Sequence, residues 1–470
     1  MHATQQKEYA RVTELLVPPT KAIPFIGEPP LVGSIYELSA DRLGFLEKLA
    51  RKGIICGFHL GPLVTVVMLS DPWLVQSFFD QSKSFDKGHT MRRAFPGNSI
   101  FITEGEIHRR QRKLMAPSFQ PRHIANYGDT MATYAERLAG GWSNGQEIDL
   151  TREMSQLTLS IVGKALFDLD QDFTATDGMG RALIQVGSAA ARRVSNPIAL
   201  PLRLPTARNR AEHAAQEAIR ARISQMIEER RNQPTERTDL LSILMEARDE
   251  DGQPMSDTQL IDECQTIFGG GHESVSNTLS WAWYLLASHP EIYQAMQTEV
   301  DTVLHGRLPT SADLSQLPLC LMVIKETLRL YPPAVLIVRE ALRDCEIAGR
   351  DEGRYAVKKG MTVMASIFAI HRTEALYPNP HTFDPLHFAP EAESTLPRYG
   401  FMPFGGGPHK CIGDHFAMME TQLILATLAR STTFELLPDQ DVRPSSRTLT
   451  NRPGSRIRMI VHRRGETSSA

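Results

Sequence analysis

The order of hydrophobic and polar positions along the chain predicts a mainly α-helical protein with a small β region. Residues 56–60 and 63–70 are two β-rich runs on either side of Gly61 and Pro62, which is the pattern of a hairpin near the N-terminus. From about residue 121 to residue 250, apolar residues recur at spacings of three and four, as on a helix face that packs against a core. Helices are therefore expected to form the bulk of the fold.

Capping residues and prolines predict where the later helices begin and end. Ser256 opens a capping-box sequence, and helical character continues to Ser288, which makes this helix long enough to cross the whole core. A second helix is expected after Pro290 and a third over residues 318–330, where the following prolines would end it. Upstream, residues 208–231 are expected to form a charged helix.

The distribution of proline, glycine and charge predicts the domain organisation. Prolines and glycines concentrate in residues 18–34, where they indicate an extended, turning segment. No Ser/Gly-rich linker or block of charge divides the chain after it. We therefore expect a Pro-rich lead-in over residues 1–34 and a single domain over residues 35–470. Three prolines within residues 197–205 indicate a loop between two helices.

Composition excludes several classes of protein. With 41% hydrophobic and 22% charged residues, the 470-residue chain can form a large core. The 51 Lys and Arg against 54 Asp and Glu give a formal charge of −3, so no nucleic-acid partner is expected. Apolar runs fall short of the roughly 20 residues that span a bilayer, so no transmembrane anchor is expected, and the N-terminus has no secretory-signal pattern. Five scattered cysteines without a CxxC pair indicate a reducing cytoplasm, with neither a disulfide framework nor a zinc site.

The candidate chemistry is concentrated in a glycine-dense loop that contains a cysteine. Residues Phe404 to Gly413, called the thiol loop below, read FGGGPHKCIG and precede a helical pattern. Cys411 would then lie at a helix N-terminus beside His409 and Lys410, which should lower the pKa of its thiol and favour the metal-ligating thiolate. Three glycines would let backbone amides approach the sulfur. The alternative is an ordinary glycine turn with a buried free cysteine.

Three glycines also interrupt the longest predicted helix. Gly269, Gly270 and Gly271, called the glycine stretch below, each cost a helix about 1 kcal/mol relative to alanine. A flat cofactor lying against the helix would account for the missing side chains, and so would close packing against another helix.

Two pairs of polar residues have the spacing of one helix face. Glu326 and Arg329 stand three residues apart, and His108 and Arg112 stand four apart. Such pairs commonly lie on a solvated surface and contribute about 0.2–0.5 kcal/mol, so the spacing alone does not indicate a site.

The thiol loop resembles the haem-ligand loop of the cytochrome P450 family, whose pattern is Phe-x-x-Gly-x-x-x-Cys-x-Gly. Phe404, Gly407, Cys411 and Gly413 match every fixed position of that pattern. The resemblance implies the cytochrome P450 fold, with the long central helix crossing over a haem b. It also implies that Cys411 is the thiolate ligand of the iron, that Phe404 packs on the sulfur side and that His409 reaches a haem propionate.

The glycine stretch is similar to the family motif Ala/Gly-Gly-x-Asp/Glu-Thr above the iron. Gly270 and Gly271 align with its small residues, and Glu273 and Ser274 with its acid and its alcohol. Serine stands where threonine is usual. The resemblance makes Glu273 and Ser274 the pair that delivers protons during dioxygen activation.

By the same resemblance, three basic residues contact the haem propionates. They are His108 and Arg112 on one helix and Arg339 further along the chain. The neighbouring cations Arg109, Arg110 and Lys113 are then expected to remain exposed, as a patch suited to an acidic redox protein.

Glu326 and Arg329 correspond to the Glu-x-x-Arg pair of the family, which holds the cysteine loop. In the family this pair is joined by an arginine from a Phe-x-Pro-x-Arg-Phe segment, and His387 replaces that arginine here. A histidine can donate to the same acceptors, with a charge that depends on pH.

The resemblance implies a haem-dependent monooxygenase that hydroxylates a lipophilic small molecule, such as a fatty acyl chain, a terpene or another secondary metabolite. The chain ends about sixty residues after Cys411, so we expect a separate electron donor, a ferredoxin or flavodoxin with its reductase. The expected pocket comprises residues 95–102, 184–194, 269–273 and 334–338, which are rather apolar.

Two alternatives are a peroxide-driven haem-thiolate peroxygenase and a non-catalytic haem sensor or electron carrier. The pair Glu273 and Ser274 argues against the first, because peroxide-driven members of the family usually lack it. A glycine-rich helix beside an enterable pocket argues against the second, because a carrier needs no such pocket.

Overall fold

The computed structural model describes residues 20–27, 29, 32–95, 97–169, 178–195, 204–232, 239–350, 353–445, 448 and 450–465. These residues divide into two compact units. The first unit comprises the described residues of Met1–Gly88, Leu336–Leu376 and Leu396–Pro408, and the second those of His89–Val335, Tyr377–Thr395 and His409–Ala470. The single domain expected over residues 35–470 stays a prediction, and much of the expected lead-in and of the loop at 197–205 lies outside the described residues.

Helices make up most of the described secondary structure. The α-helices are α1 Ile35–Ala40, α2 Arg42–Ala50, α3 Pro72–Asp80, α4 Gly88–Ala94, α5 Gly105–Met115, α6 Pro121–Ile124, α7 Gly128–Gly140, α8 Leu150–Phe167, α9 Gly178–Ser195, α10 Ala207–Asn232, α11 Leu240–Glu246, α12 Asp257–Ser288, α13 Pro290–Leu304, α14 Pro318–Leu330, α15 Ile367–Ile370, α16 Pro390–Glu393 and α17 Asp414–Ser431. Short 3₁₀ turns lie at Ser82–Ser84, Ala116–Phe119, Ala125–Tyr127, Ser311–Gln316, Pro385–Phe388 and Gly407–His409.

The strands form three small sheets within the described part of the chain. They are β1 Thr20–Lys21, β2 Ile55–Leu60, β3 Val64–Leu69, β4 Phe85–Asp86, β5 Gln146–Asp149, β6 Leu336–Ala341, β7 Cys345–Ala348, β8 Arg354–Val357, β9 Thr362–Ser366, β10 Thr432–Leu436 and β11 Arg458–Arg463. Their orders are β1-β8-β7, β2-β3-β9-β6-β4 and β10-β11-β5.

The first unit is built on the five-stranded sheet. The expected hairpin is confirmed as the antiparallel pair β2 and β3, in which Ile55 is opposite Leu69. Strand β3 also pairs in parallel with β9, far along the chain, with Val67 opposite Val363. Buried aliphatic and aromatic side chains from these strands and from α3 form one hydrophobic cluster beneath the sheet.

The second unit is mainly helical, and its longest helix is α12. Its predicted limits are confirmed, because Ser256 caps the helix by accepting a hydrogen bond from the Gln259 amide and the helix ends at Ser288. The helices α10 and α14 also begin and end within a residue of the prediction, and α13 begins at Pro290, where a helix is expected. Helix α12 packs against α8, where the rings of Phe167 and Phe268 stack at a centroid distance of 4.0 Å.

Strand β5 lies within the segment that the apolar spacing predicts to be helical, so that prediction is wrong over residues 146–149. Its partner is β11, with Ile148 opposite Met459. A four-residue strand whose partner lies about 300 residues away has no local signal that would reveal it.

Candidate active site

Helix α5 carries two side chains that meet the second-unit part of the thiol loop. The ring of the buried His108 lies 3.8 Å from the ring of His409, between centroids, and Arg112 donates from Nη1 to the carbonyl oxygen of Lys410 at 2.6 Å. His409 donates from Nε2 to the carboxylate of Glu104, just before α5, at 2.6 Å. This face of α5 is therefore packed against the residues that precede the cysteine, and it is not a solvated surface.

Cys411 lies three residues before α17. Solvent can reach its surface, yet surrounding atoms enclose the thiol, and this burial raises its pKa above the ordinary value. The Gly413 amide, which donates to the sulfur, and the charges of Arg112 and Lys410 act in the opposite direction, whereas Asp414 adds to the rise. The expectation of a lowered pKa is therefore wrong, because desolvation outweighs the nearby positive charges.

Aromatic packing within the first unit explains the glycines of the thiol loop. A Cβ on Gly406 would lie 2.5 Å from Tyr399 Cε1, and a Cβ on Gly407 would lie 2.9 Å from Phe79 Cδ1. Gly407 also has a positive φ of 63°, which favours glycine. The amide that donates to the sulfur belongs to Gly413, so these glycines make room for rings and are not the source of the sulfur contact.

Two residues expected to contact the cofactor belong to the first unit. Arg339 is a partly buried residue of β6, and it donates from Nη1 to the carbonyl of Val338 at 2.8 Å. Phe404 is also partly buried, and the glycine after it would place a Cβ 3.3 Å from Ile337 Cδ1 of the same strand. The start of the thiol loop therefore lies beside β6, and the roles of Phe404 and Arg339 toward a haem stay predictions.

Glu326 and Arg329 form a bidentate ion pair in the interior of the second unit. Arg329 donates from Nε and Nη2 to the two carboxylate oxygens of Glu326, each at 2.7 Å, and both side chains are completely buried. Its guanidinium also donates to the carbonyl oxygens of Pro380 and Thr382, at 2.6 and 3.0 Å. The alternative of a solvated surface pair is therefore excluded.

His387 completes this cluster, which we call the carboxylate network (Glu326, Arg329 and His387). Its Nδ1 lies 3.1 Å from Glu326 Oε1 and its Nε2 lies 2.7 Å from the carbonyl oxygen of Pro378. A carboxylate and a carbonyl can only accept, so both ring nitrogens carry a proton in this arrangement. The hydrogen bond to Glu326 raises the pKa of His387, and histidine therefore supplies a positive charge here.

The glycine stretch serves two purposes within an unbroken helix. A Cβ on Gly271 would lie 3.3 Å from Val162 Cγ2 of α8, so this glycine permits close helix packing. A Cβ on Gly269 or Gly270 would meet no atom within 4 Å other than the neighbouring backbone of its own helix, so these two leave open space beside α12. Close helix packing thus explains Gly271, and the explanation of Gly269 and Gly270 by a flat cofactor stays a prediction.

The acid and the alcohol of α12 have different partners. Ser274 donates its hydroxyl to the carbonyl oxygen of Gly270 at 2.8 Å, as serines within helices often do. Glu273 accepts a hydrogen bond at Oε1 from the Thr450 hydroxyl at 2.6 Å. The two side chains are adjacent in sequence, and no hydrogen bond joins them among the described residues.

Two carboxylates of α12 bind backbone amides of the expected pocket segment at residues 95–102. Asp262 accepts from the Asn98 amide and Glu263 from the Ile100 amide, both at 2.9 Å. Asp262 also pairs with Arg220 of α10 at 2.5 Å. Burial of Glu263 raises its pKa to about 8. Near neutral pH, the Glu263 carboxyl is therefore close to the pH at which it gains or loses a proton.

The surface cations of α5 are balanced by carboxylates. The ion pairs are Arg109 with Glu106, Arg110 with Asp249, and Lys113 with Glu250. Arg110 also donates to the side chain of Gln259 and to the carbonyl of Pro254, which leaves it only partly exposed. The expected exposure is confirmed for Arg109 and Lys113, with 75% and 66% of their side-chain surfaces accessible, although each cation is paired with a carboxylate. That this patch suits an acidic redox protein stays a prediction.

Comparison with known proteins identifies the class. The family profile described as Cytochrome P450 matches residues 17–458, and the chain belongs to that family. It is 34% identical to cyclooctatin synthase of Streptomyces melanosporofaciens, over 92% of this chain and 94% of the relative. It is 32% identical to pentalenene oxygenase of Streptomyces avermitilis, over 94% and 97%. A cyanobacterial member solved with retinoic acid bound, CYP120A1, superposes with a TM-score of 0.83 at 25% identity, over 95% of this chain and all of that one.

Family membership confirms the expected fold and reaction class. The chain has the mainly α cytochrome P450 fold, and it is a monooxygenase with a haem-thiolate cofactor that acts with dioxygen, a redox partner and a lipophilic substrate. Among the described helices, none combines the length and the apolar composition needed to cross a membrane.

The side chains around Cys411 fit such a cofactor. Cys411, an exposed residue, would provide the iron ligand, and the imidazoles of His108 and His409 with the guanidinium of Arg112 would provide donors for the two propionate carboxylates. The open space beside Gly270 on α12 is free of side chains that would obstruct a flat ring. The donor set therefore matches a haem held by a thiolate.

Sequence reasoning missed two residues of this region, Glu104 and Thr450. Glu104 contacts His409 from the position before α5, where an acidic residue has no distinctive sequence signal. Thr450 lies 177 residues from Glu273, so no spacing or motif could have connected the two.

Proposed function

We propose that Cys411 ligates the iron of a haem b and that His108, Arg112 and His409 hold its propionates. The observation that carries this proposal is the cluster formed by two imidazoles, of His108 and His409, and the Arg112 guanidinium, which contact each other or the loop just before the exposed residue Cys411. The resemblance of the thiol loop and of the β6 segment supports the further roles of Phe404, Gly413 and Arg339.

When bound, a thiolate-ligated haem supplies the iron at which dioxygen is reduced, with one oxygen atom inserted into a C–H bond and the other released as water. The chain supplies the protons that this stoichiometry requires. Glu273 can carry a proton on its carboxyl group, and Ser274 can pass one through its hydroxyl when that hydroxyl releases the Gly270 carbonyl. In the alternative, Ser274 stays bonded to Gly270 and an ordered water performs the relay.

The ligand assignment is tested by Cys411→Ser. The reduced carbon monoxide complex of the unchanged protein should show the red-shifted Soret band of thiolate ligation, and Cys411→Ser should lose it. The matched control is Cys345→Ser, which removes a partly buried thiol of β7 and should leave the band unchanged. A shifted band that survives in Cys411→Ser would refute the assignment.

We propose a terpene as the substrate class. Pentalenene oxygenase, by its name, acts on a terpene hydrocarbon, and it matches this chain over almost its whole length. The expected pocket segment supports an apolar ligand, since Phe95 and Phe101 pack edge to face at 4.9 Å and Phe101 is 42% exposed. A fatty acyl chain is the alternative.

Spectral titration separates the two substrate classes. A ligand that displaces the sixth ligand of the iron shifts the Soret band, and we expect pentalenene to bind at least about tenfold more tightly than dodecanoic acid. A larger shift and tighter binding with dodecanoic acid would overturn the terpene proposal.

We further propose that electrons come from a separate ferredoxin or flavodoxin with its reductase, in the cytoplasm. The family's requirement for a redox partner supports the separate donor. The five scattered cysteines without a CxxC pair support the reducing cytoplasm. Turnover with reduced nicotinamide should require both added proteins. Turnover with hydrogen peroxide alone, at an equal rate, would instead favour the peroxygenase alternative.

A further inference from the structure

Thr450 is the residue that holds the acid of α12. Its hydroxyl donates to Glu273 Oε1 at 2.6 Å, and both residues are partly buried in the second unit. Among the described residues, Thr450 is the one whose hydrogen bond reaches this carboxylate. The hydroxyl of the neighbouring Ser274 donates to the Gly270 carbonyl instead.

The backbone beside Thr450 is fixed to the helix that carries the acid. Asn451 is completely buried, its amide donates to the carbonyl of Pro333 at 2.9 Å, and its carbonyl accepts from Trp281 Nε1 at 2.9 Å. Trp281 belongs to α12 and stacks on Tyr331 at 3.9 Å with an angle of 4° between the rings. The hydroxyl of Thr450 is therefore presented to the carboxylate from a rigid support.

The contact occupies one carboxylate oxygen and leaves the other available. Oε2 of Glu273 lies 4.0 Å from the Cβ that a side chain at Gly187 of α9 would have, so glycine leaves room beside this oxygen. A glutamate side chain has several rotamers of similar energy, and one strong hydrogen bond restricts it to a few. Holding Oε1 thus fixes where Oε2 can take up or release a proton.

We infer that Thr450 is a positioning residue for proton delivery by Glu273. This inference rests on the proposed role of Glu273 in carrying protons. Loss of the Thr450 hydroxyl should let the carboxyl group move, so that protons arrive less reliably and more of the reduced dioxygen leaves as hydrogen peroxide.

The test compares Thr450→Val, which keeps the shape and removes the hydroxyl, with Thr450→Ser, which keeps the hydroxyl. With a ferredoxin and its reductase, and with whichever of pentalenene and dodecanoic acid gives the larger spectral shift, product per reduced nicotinamide should fall about threefold or more in Thr450→Val and stay within about 1.5-fold in Thr450→Ser. The spectral dissociation constant of the same probe should change less than about twofold in both variants.

Thr448→Val is the matched control for general loosening of this loop. The Thr448 hydroxyl donates to the carbonyl of Thr450 at 2.7 Å, so its removal disturbs the same loop without removing the bond to the carboxylate. We expect product per reduced nicotinamide to stay near that of the unchanged protein. An equal loss in Thr448→Val and Thr450→Val would overturn the inference, because loop rigidity would then be the cause.

Infrared spectroscopy of the resting protein provides a readout that needs no turnover. The carboxyl band that disappears in Glu273→Gln should shift in Thr450→Val and remain in place in Thr450→Ser. An unshifted band in Thr450→Val, or a probe affinity that falls while coupling is unchanged, would overturn the inference.

The same variants separate failure of this inference from failure of the proposed proton path. If Glu273→Gln uncouples the enzyme and Thr450→Val does not, the proton path stands and the role of Thr450 is refuted. If Glu273→Gln leaves product per reduced nicotinamide unchanged, both are refuted.

Discussion

Two Glu–Arg pairs with the same spacing show how burial changes the role of a residue. Glu106 and Arg109 on α5 are exposed, with 79% and 75% of their side-chain surfaces accessible, whereas Glu326 and Arg329 on α14 have none accessible. An exposed pair is screened by water and contributes little, but a buried charge that loses its partner remains in a medium of low dielectric constant. The sequence spacing of three is identical in both pairs, and only the surroundings differ.

We therefore expect Arg329→Ala to destabilise the fold strongly and Arg109→Ala to leave its stability almost unchanged. We expect Arg329→Ala to destabilise the fold by about 3–5 kcal/mol, since it leaves Glu326 buried and unpaired, and to reduce haem incorporation. Thermal unfolding and haem content per chain provide the measurements. Arg109→Ala, in the matched exposed pair, should change neither, and a normal haem content in Arg329→Ala would contradict the prediction.

The charge on His387 makes the carboxylate network sensitive to pH. Its pKa in the folded protein is raised above the ordinary value, chiefly by the hydrogen bond to Glu326. The stabilisation is thus complete below about pH 6.5 and is lost as the pH rises through the folded pKa. An arginine would keep its charge over the whole range.

We expect His387→Arg to fold and bind haem, since arginine is the residue of the family pattern, and its stability advantage over the unchanged protein should grow between pH 6 and pH 9. The thermal midpoints of both proteins at the two pH values measure this. His462→Arg is the matched control, because His462 pairs with Glu435 at an exposed position. A stability difference that stays constant between pH 6 and pH 9 would contradict a His387 charge that is lost over this range.

At the scale of elements, the packing of α12 against α8 gives two neighbouring glycines different surroundings. A Cβ added at Gly271 would lie 3.3 Å from Val162 Cγ2, whereas a Cβ added at Gly270 would point into open space. The cost of glycine in a helix is the same at both positions, about 1 kcal/mol relative to alanine. Only the second helix distinguishes them.

Gly271→Ala should destabilise the protein by about 1–3 kcal/mol through overpacking against Val162. Gly270→Ala should instead stabilise it by up to about 1 kcal/mol and retain haem, because the family pattern accepts alanine there. Thermal unfolding of the two variants in parallel measures the contrast. Equal effects would mean that helix propensity, and not helix packing, determines both.

For the whole molecule, the charge distribution constrains how an acidic electron donor can bind. The formal charge is −3, and the three cations of α5 are paired with three carboxylates. Long-range attraction depends on the summed field, so paired cations attract an anionic partner weakly. A donor of that kind must displace carboxylates or bind by other contacts.

The double variant Glu106→Gln and Glu250→Gln should release Arg109 and Lys113. We expect the rate of reduction by an acidic ferredoxin to rise about threefold or more at low ionic strength, with the gain disappearing in high salt. The control is Glu147→Gln with Glu435→Gln, which makes the same change in net charge at exposed ion pairs on β5 and β10. An equal gain in the control would assign the effect to net charge and not to α5.

The sequence by itself determined the features that depend on neighbouring residues. The capping residue Ser256 and the prolines at positions 290 and 318 set helix ends correctly, because a helix terminus is decided by backbone groups within one turn. The thiol loop identified the family, because its fixed residues lie within ten positions of one another. A structural feature can be predicted from the sequence when the residues that form it are close together in the chain.

Only the tertiary structure decided the features that depend on residues distant in sequence. The parallel pairing of β3 with β9 and the bond from Thr450 to Glu273 join segments separated by well over a hundred residues. Burial is equally non-local, because many unrelated segments together remove water from one group. That is why the sequence predicted a lowered pKa for Cys411 while the folded protein raises it, and why the same Glu-x-x-Arg spacing is a solvated pair on α5 and a buried one on α14.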